Sequence, residues 1–176
     1  MPQVSERAFE QAIEASLLAF PEGVHEAGSG DLPGGYRKRR PEDYDRALCL
    51  IPQDVIGFVQ ATQPKEWEKL KQHHGTEVKE RFLKRLSQEI ERRGALDVLR
   101  NGLKDSGCAF KLVYFRPSSG LNPELQKLHA ANQFSVVRQL RFNPKTEQSL
   151  DMALFLNGIP LFTAALKNQF TGQTVQ

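Results

Sequence analysis

The stretch Leu150-Asp151-Met152-Ala153-Leu154-Phe155-Leu156-Asn157-Gly158-Ile159-Pro160-Leu161-Phe162-Thr163-Ala164-Ala165-Leu166-Lys167 decides how this chain is read. Two apolar, β-prone segments flank Asn157-Gly158, a dipeptide suited to the positive φ angles of a tight hairpin. Strands are expected at 150–156 and 161–167, with a third just upstream at 134–142. Side chains alternate along a strand, so Leu161, Thr163, Ala165 and Lys167 share one face, and Phe162, Ala164 and Leu166 share the other. Loop length then decides where Asp151 points. A three-residue loop, 157–159, sets Asp151 opposite Ala165 and on the face of Lys167, whereas a two-residue loop pairs it with Ala164 and turns it away. The three-residue loop is expected, because only that register gathers Asp151 and Lys167.

An Asp on one strand, facing an acidic residue and a Lys two apart on the next, can hold Mg²⁺ against a phosphodiester. Hard oxygen ligands suit that ion, which polarises the phosphate and lowers the pKa of an attacking water, while the Lys offsets developing charge. Taken alone, the spacing D-x(13)-A-x-K says little, since an Asp and a Lys at strand ends are ordinarily solvated.

Upstream of the strands the sequence is mostly helical. Phe9, Ile13, Leu17 and Phe20 recur at helical spacing over 5–20, with Glu6, Glu10 and Glu14 on other faces. An amphipathic helix packing its apolar side on a sheet is expected, ended by Pro21 and Gly23. The Gly, Ser, Asp and Pro of 28–35, followed by Arg37-Lys38-Arg39-Arg40, read as a loop. Pro52 and Pro64 each open a helix, and Thr76 is expected to cap a longer one ending at Gly94, with Val78, Phe82, Leu86 and Ile90 on its inner face. Residues 109–115 read as a strand, and Asn122-Pro123 starts a short helix toward Asn132.

A chain of 176 residues, 39% hydrophobic and 26% charged, is expected to form one domain spanning 1–176. No apolar run is long enough to span a bilayer and the first twenty residues do not look like a secretory signal, so the expected location is cytoplasmic. Cys49 and Cys108 lack metal-site spacing and read as free thiols in a reducing compartment. The net charge of +3 is compatible with a polyanionic partner without requiring one.

Several segments together carry a resemblance. The run from Asn132 through Gln133, Phe134 and Ser135 to Leu140, the hairpin Leu150 to Pro160, Leu166-Lys167-Asn168, and Thr171-Gly172-Gln173-Thr174 resemble the amino-terminal nuclease domain of type I restriction enzyme R subunits. Tyr44-Asp45-Arg46, Ala61-Thr62-Gln63-Pro64 with Trp67, Leu99-Arg100 and Gly120-Leu121-Asn122-Pro123 extend the likeness over nearly the whole chain. The resemblance implies an α/β fold: a restriction-endonuclease-like mixed β-sheet flanked by helices, with a helical middle segment. It also implies a PD-(D/E)xK centre. The metal-binding Asp would be Asp151, the catalytic Lys would be Lys167, and the Leu166 backbone carbonyl would be a further metal contact.

At position 165, where the resembled family has Glu, this chain has Ala165. A methyl group cannot bind a cation, so Mg²⁺ is expected to be held weakly or not at all, and Ala165 reads as an inactivating substitution. The chain ends at Gln176, so the domain is expected to be truncated at its C-terminal end. The motor domains of such subunits, and with them ATP binding, are expected to be absent, since no G-x-x-x-x-G-K-[ST] element is found.

Arg138 and Arg141, on the strand before the hairpin, are candidates for DNA phosphate contacts, as are Asn168 and Gln173 beside the cleft. Glu10 is a possible supporting residue, because nucleases of this fold often place a Glu on the first helix, although a solvated helix surface is the plainer reading. His73 and His74 are expected at the surface, and Trp67 in the core. The expected function is a Mg²⁺-dependent endonuclease domain that cuts double-stranded DNA after ATP-driven translocation, with methyltransferase and specificity subunits as partners. The alternative is a catalytically dead DNA-binding or assembly module that keeps the fold.

Overall fold

A computed structural model describes residues 6–19, 35–142 and 148–166. The sheet is built from β1 (Arg37–Arg39), β4 (Phe134–Arg141), β5 (Ser149–Leu156) and β6 (Ile159–Ala164), in the order β1-β4-β5-β6. β1 runs parallel to β4, and the remaining pairs are antiparallel, so the sheet is mixed. The expected α/β class with a helical middle segment is what is observed. α1 spans Glu6–Leu18, and the middle comprises α2 (Pro52–Thr62), α3 (Pro64–His74), α4 (Val78–Arg93) and α5 (Ala95–Asn101). β2 (Leu103–Asp105) and β3 (Cys108–Phe110) form a separate hairpin, and α6 (Pro123–Ala130) follows.

Local chemistry accounts for most of these boundaries. Pro52 and Pro64 sit in the first turns of α2 and α3, where a missing N–H costs no helical hydrogen bond. The Asn122 side chain accepts from the backbone N–H groups of Glu124 and Leu125, capping α6. Gly94 ends α4 with φ 84°. The start of α4 differs from expectation: Gly75–Glu77 make a 3₁₀ turn, the helix begins at Val78, and the Thr76 side chain does not cap it.

The main core lies between the helical middle and the sheet. The inner face of α4, with Val78, Phe82, Leu83 and Leu86, packs with Val55, Phe58 and Val59 of α2, Leu70 and Trp67 of α3, and Leu156 and Ile159 of the hairpin. Trp67 meets Phe82 edge-on at 5.5 Å between ring centres, and Phe82 meets Phe110 in the same way at 5.1 Å. A smaller cluster of Tyr44, Ile51, Val137, Leu140, Ala153 and Phe155 fills the space nearer the chemistry-bearing end.

Four expectations are corrected here. Residues 37–39 are a strand rather than loop, because pairing with β4 and two ion pairs offset the cost of an all-basic segment: Lys38 bonds Glu14, and Arg39 bonds Asp54. Since neighbouring strand residues point to opposite faces, these two pairs place α1 on one side of the sheet and α2 on the other. Second, α1 does not bury its apolar stripe. Glu10 and Glu14 are its buried residues, whereas Phe9 is 43% exposed. Third, the strand expected at 109–115 is only Cys108–Phe110, folded back on β2 through Ser106 and Gly107, whose φ angles are 48° and 79°. Fourth, His74 is half-buried instead of lying on the surface. Its Nε2 is 3.4 Å from Asp105 Oδ1 and 3.2 Å from Ser106 Oγ, tying the end of α3 to the β2–β3 hairpin.

Candidate functional site

Asp151 sits on β5, and its position depends on the hairpin. The loop contains two residues, not the three expected: Leu156 pairs with Ile159 around Asn157 and Gly158, whose φ angles are 51° and 81°. The pairing then shifts by one. Phe155 is opposite Pro160 and Leu154 opposite Phe162, so Leu161 is an extra residue in β6, a β-bulge. Below the bulge Ala153 pairs with Thr163 and Met152 with Ala164, and continuing that register one step sets Ala165 opposite Asp151. A two-residue turn plus a bulge thus gives the alignment that a three-residue loop was expected to give. The Leu166 backbone N–H donates to Asp151 Oδ2 at 2.6 Å, fixing the carboxylate against the segment that follows β6.

The turn is anchored as firmly as the register. Asn157 is fully enclosed: its Nδ2 donates to the Leu112 carbonyl at 2.9 Å and to Asn132 Oδ1 at 3.0 Å, while its Oδ1 accepts from the Gln133 N–H at 2.7 Å. Asn132 in turn bonds both backbone groups of Tyr114. Buried amides satisfied at every atom hold one arrangement of the surrounding strands.

On β4 the alternation breaks at Gln139, a non-glycine residue with φ 51°. Val137 and Leu140, three positions apart, share the smaller apolar cluster, against which Leu150 also packs along with Ala153. The skipped step turns Arg138 and Gln139, although consecutive, toward the same helix. Arg138 Nη2 is 3.1 Å from Glu10 Oε2, and its Nη1 is 3.4 Å from Glu14 Oε2. Gln139 Nε2 donates to Glu10 Oε1 and Oε2 at 3.0 and 3.1 Å and lies 3.4 Å from Asp151 Oδ1. Its Oε1 accepts from Ser149 Oγ at 3.3 Å, which orients the amide with its NH₂ toward the carboxylates. Glu14 also receives Lys38 at 3.0 Å. Glu14 Oε1 and Arg138 Nε are buried there without a hydrogen-bond partner among the described residues.

The expected site residues therefore separate into groups. Asp151, Ala165 and Leu166 converge at the open end of the hairpin, and Glu10 joins them through Gln139. Glu10 is buried, not on a solvated helix surface, with 6% of its side chain exposed. Arg138, considered for DNA phosphates, keeps 16% of its side chain exposed and is engaged by the two glutamates. Arg141 is exposed at the end of β4. Lys167, Asn168 and Gln173 lie outside the described residues. Sequence reading missed Gln139 and Glu14. A polar residue at an exposed strand position and a helical Glu carry no mark that distinguishes them.

The donor set can be compared with what a divalent cation needs. Mg²⁺ takes oxygen ligands in a near-octahedral shell, part of it water. Glu10 and Asp151 offer carboxylates and Leu166 a carbonyl, but Ala165 offers nothing, and Gln139 already occupies the carboxylate oxygens. Among the described residues no three His, Cys, Asp or Glu side chains are grouped to hold a metal. As it stands, the site does not fit the ion.

Residues 58–176, about two thirds of the chain, match the family described as type I restriction enzyme R protein N terminus. No curated protein and no solved structure matches the chain.

Proposed function

Because the chain belongs to the family of type I restriction enzyme R protein N-terminal domains, we propose that the site around Asp151 is the DNA-cleavage centre of such an enzyme in an incomplete form. The observation that carries this reading is the bulged register, which brings Ala165 opposite Asp151 while the Leu166 amide bonds the Asp151 carboxylate. Glu10 lies beside them, joined through Gln139. In this reading Asp151 is the metal-binding acid, Leu166 contributes its carbonyl, Lys167 is the catalytic amine, and Glu10 supports the site. An acid at 165 completes the set.

The target is double-stranded DNA. Cutting follows ATP-driven translocation by motor domains elsewhere in the R subunit, and methyltransferase and specificity subunits supply the choice of sequence. Arg141, Asn168 and Gln173 are proposed to contact DNA, with Arg138 positioning Glu10. Without the acid at 165 the chain cleaves at least on the order of 10²-fold more slowly than a completed site, because a misplaced or missing reactive group costs that much. No helix among the described residues is long and apolar enough to cross a membrane, and the reaction is assigned to the cytoplasm, where the DNA is.

The test is Ala165→Glu. Nicking of supercoiled plasmid in Mg²⁺ or Mn²⁺ is expected from this variant and not from the parent, and Asp151→Asn or Lys167→Ala added to it should abolish the gain. A second reading, a catalytically silent DNA-binding or assembly module, is favoured by the Gln139 amide that already bridges both carboxylates. Intact plasmid after treatment with well-folded Ala165→Glu protein, in either ion, would select that second reading.

A further inference from the structure

We propose that the Gln139 carboxamide stands in the place of a divalent cation between Glu10 and Asp151, so that amide and cation compete for the same carboxylate oxygens. This inference rests on the reading of the Asp151 site as a cleavage centre. A single atom, Gln139 Nε2, lies within 3.4 Å of both Glu10 oxygens and of Asp151 Oδ1. A cation taking this place would draw both carboxylates in to about 2.1 Å. Ser149 fixes the other end of the amide, so donors and not an acceptor face the acids. Gln139 is exposed, which leaves the position reachable by an ion from solvent.

Among the described residues whose bonds build this network, Glu10, Glu14 and Asp151 are acids, whereas Arg138 and Lys38 are bases. Glu14 Oε1, on a side chain only 8% exposed, has no hydrogen-bond partner among the described residues. A neutral amide satisfies hydrogen-bonding valence and brings no charge to the acids. A divalent ion at the same point brings positive charge to them once the amide swings out. The backbone at Gln139 supports the same picture. With φ 51° it holds a region that costs a non-glycine residue energy, and this turn is what brings the side chain between the acids.

Gln139→Gly removes the carboxamide while keeping a residue for which φ 51° is unstrained. Mn²⁺ binding, read by electron paramagnetic resonance and calorimetry, is measured for the parent, Gln139→Gly, Ala165→Glu and the double variant. Competition predicts about fivefold tighter Mn²⁺ binding on losing Gln139, the equivalent of one ordinary net hydrogen bond. A merely structural glutamine predicts weaker or unchanged binding, and either result overturns the proposal. If Ala165→Glu cuts DNA while Gln139→Gly does not tighten Mn²⁺, the cleavage reading survives and the competition does not. If none of the four chains binds Mn²⁺, both fail. Should Gln139→Gly not fold, the side-chain amide resonances of Gln139 in Ala165→Glu protein decide: Mg²⁺ must shift them, and unmoved resonances overturn the proposal.

Discussion

Gly158 lies directly against the backbone of Ile51: a Cβ at position 158 would be 2.5 Å from the Ile51 carbonyl oxygen and 2.8 Å from the Val55 nitrogen. The two segments are also bonded, the Ile51 N–H donating to the Gly158 carbonyl at 2.9 Å. The hairpin tip is therefore seated on the start of α2, and φ 81° at Gly158 adds a conformational demand to the steric one. Gly158→Ala is expected to lose about 2–4 kcal/mol, since the colliding atoms are backbone and cannot move aside. Urea unfolding of parent and variant measures it, and a loss below about 1 kcal/mol would mean that the tip can lift off α2.

Arg138 is the cation shared by two buried carboxylates. Among the described residues, replacing it by Met leaves Glu10 without a charged partner and Glu14 with Lys38 alone. Breaking a buried pair from one side costs about 3–5 kcal/mol, because the remaining charge stays in a poorly solvated place. Arg138→Met should lose stability on that scale, and adding Glu10→Gln should recover a large part of it. A double variant no more stable than the single one would count against a charge-based origin of the loss.

Alkaline pH should weaken the fold from a definite point. Burial pushes the Cys108 thiol up, with the Glu66 carboxylate adding to the effect. Burial also raises the Tyr44 hydroxyl, assisted by its hydrogen bond with Cys49. Both groups are neutral when protonated and hold their protons more tightly in the folded chain. Their contribution is therefore complete below the unfolded thiol value of about 8.5 and is lost as pH rises through the folded values. The urea midpoint should be level from pH 7 to 8 and fall above that, less steeply near pH 9 in Cys108→Ala. Exposed Cys49 should also react with a thiol reagent well before buried Cys108.

The parts of this molecule legible in its sequence are those whose causes are local. Asn157-Gly158 announces the turn because the two residues accept the backbone angles that the turn imposes. Pro52, Pro64, Asn122 and Gly94 mark helix ends through the donors and acceptors they supply or lack. What escaped depends on partners distant in the chain. Arg37–Arg39 is a strand only because β4, Glu14 and Asp54 receive it. Glu10 and Glu14 face inward only because Arg138 and Lys38 are there to meet them, which overrides the apolar spacing of Phe9, Ile13 and Leu17. That Ala165 comes opposite Asp151 could be read from the alternation of the two strands. Gln139 could not, since nothing in a strand sequence forecasts a positive φ angle at a glutamine.

The bulge at Leu161 makes chain length itself an ingredient of the site. Asp151 meets position 165 because thirteen residues separate them, two of them in a turn of fixed size and one surplus in the returning strand. Excising Thr163 with the bulge kept would leave every side chain of the site in the molecule and yet slide the end of β6 by one place, presenting Leu166 where Ala165 now stands, whereas excising Leu161 removes only the surplus residue and keeps Ala165 in place. The chemistry of this centre can thus be unmade by an error of spelling length, with no letter that carries it altered.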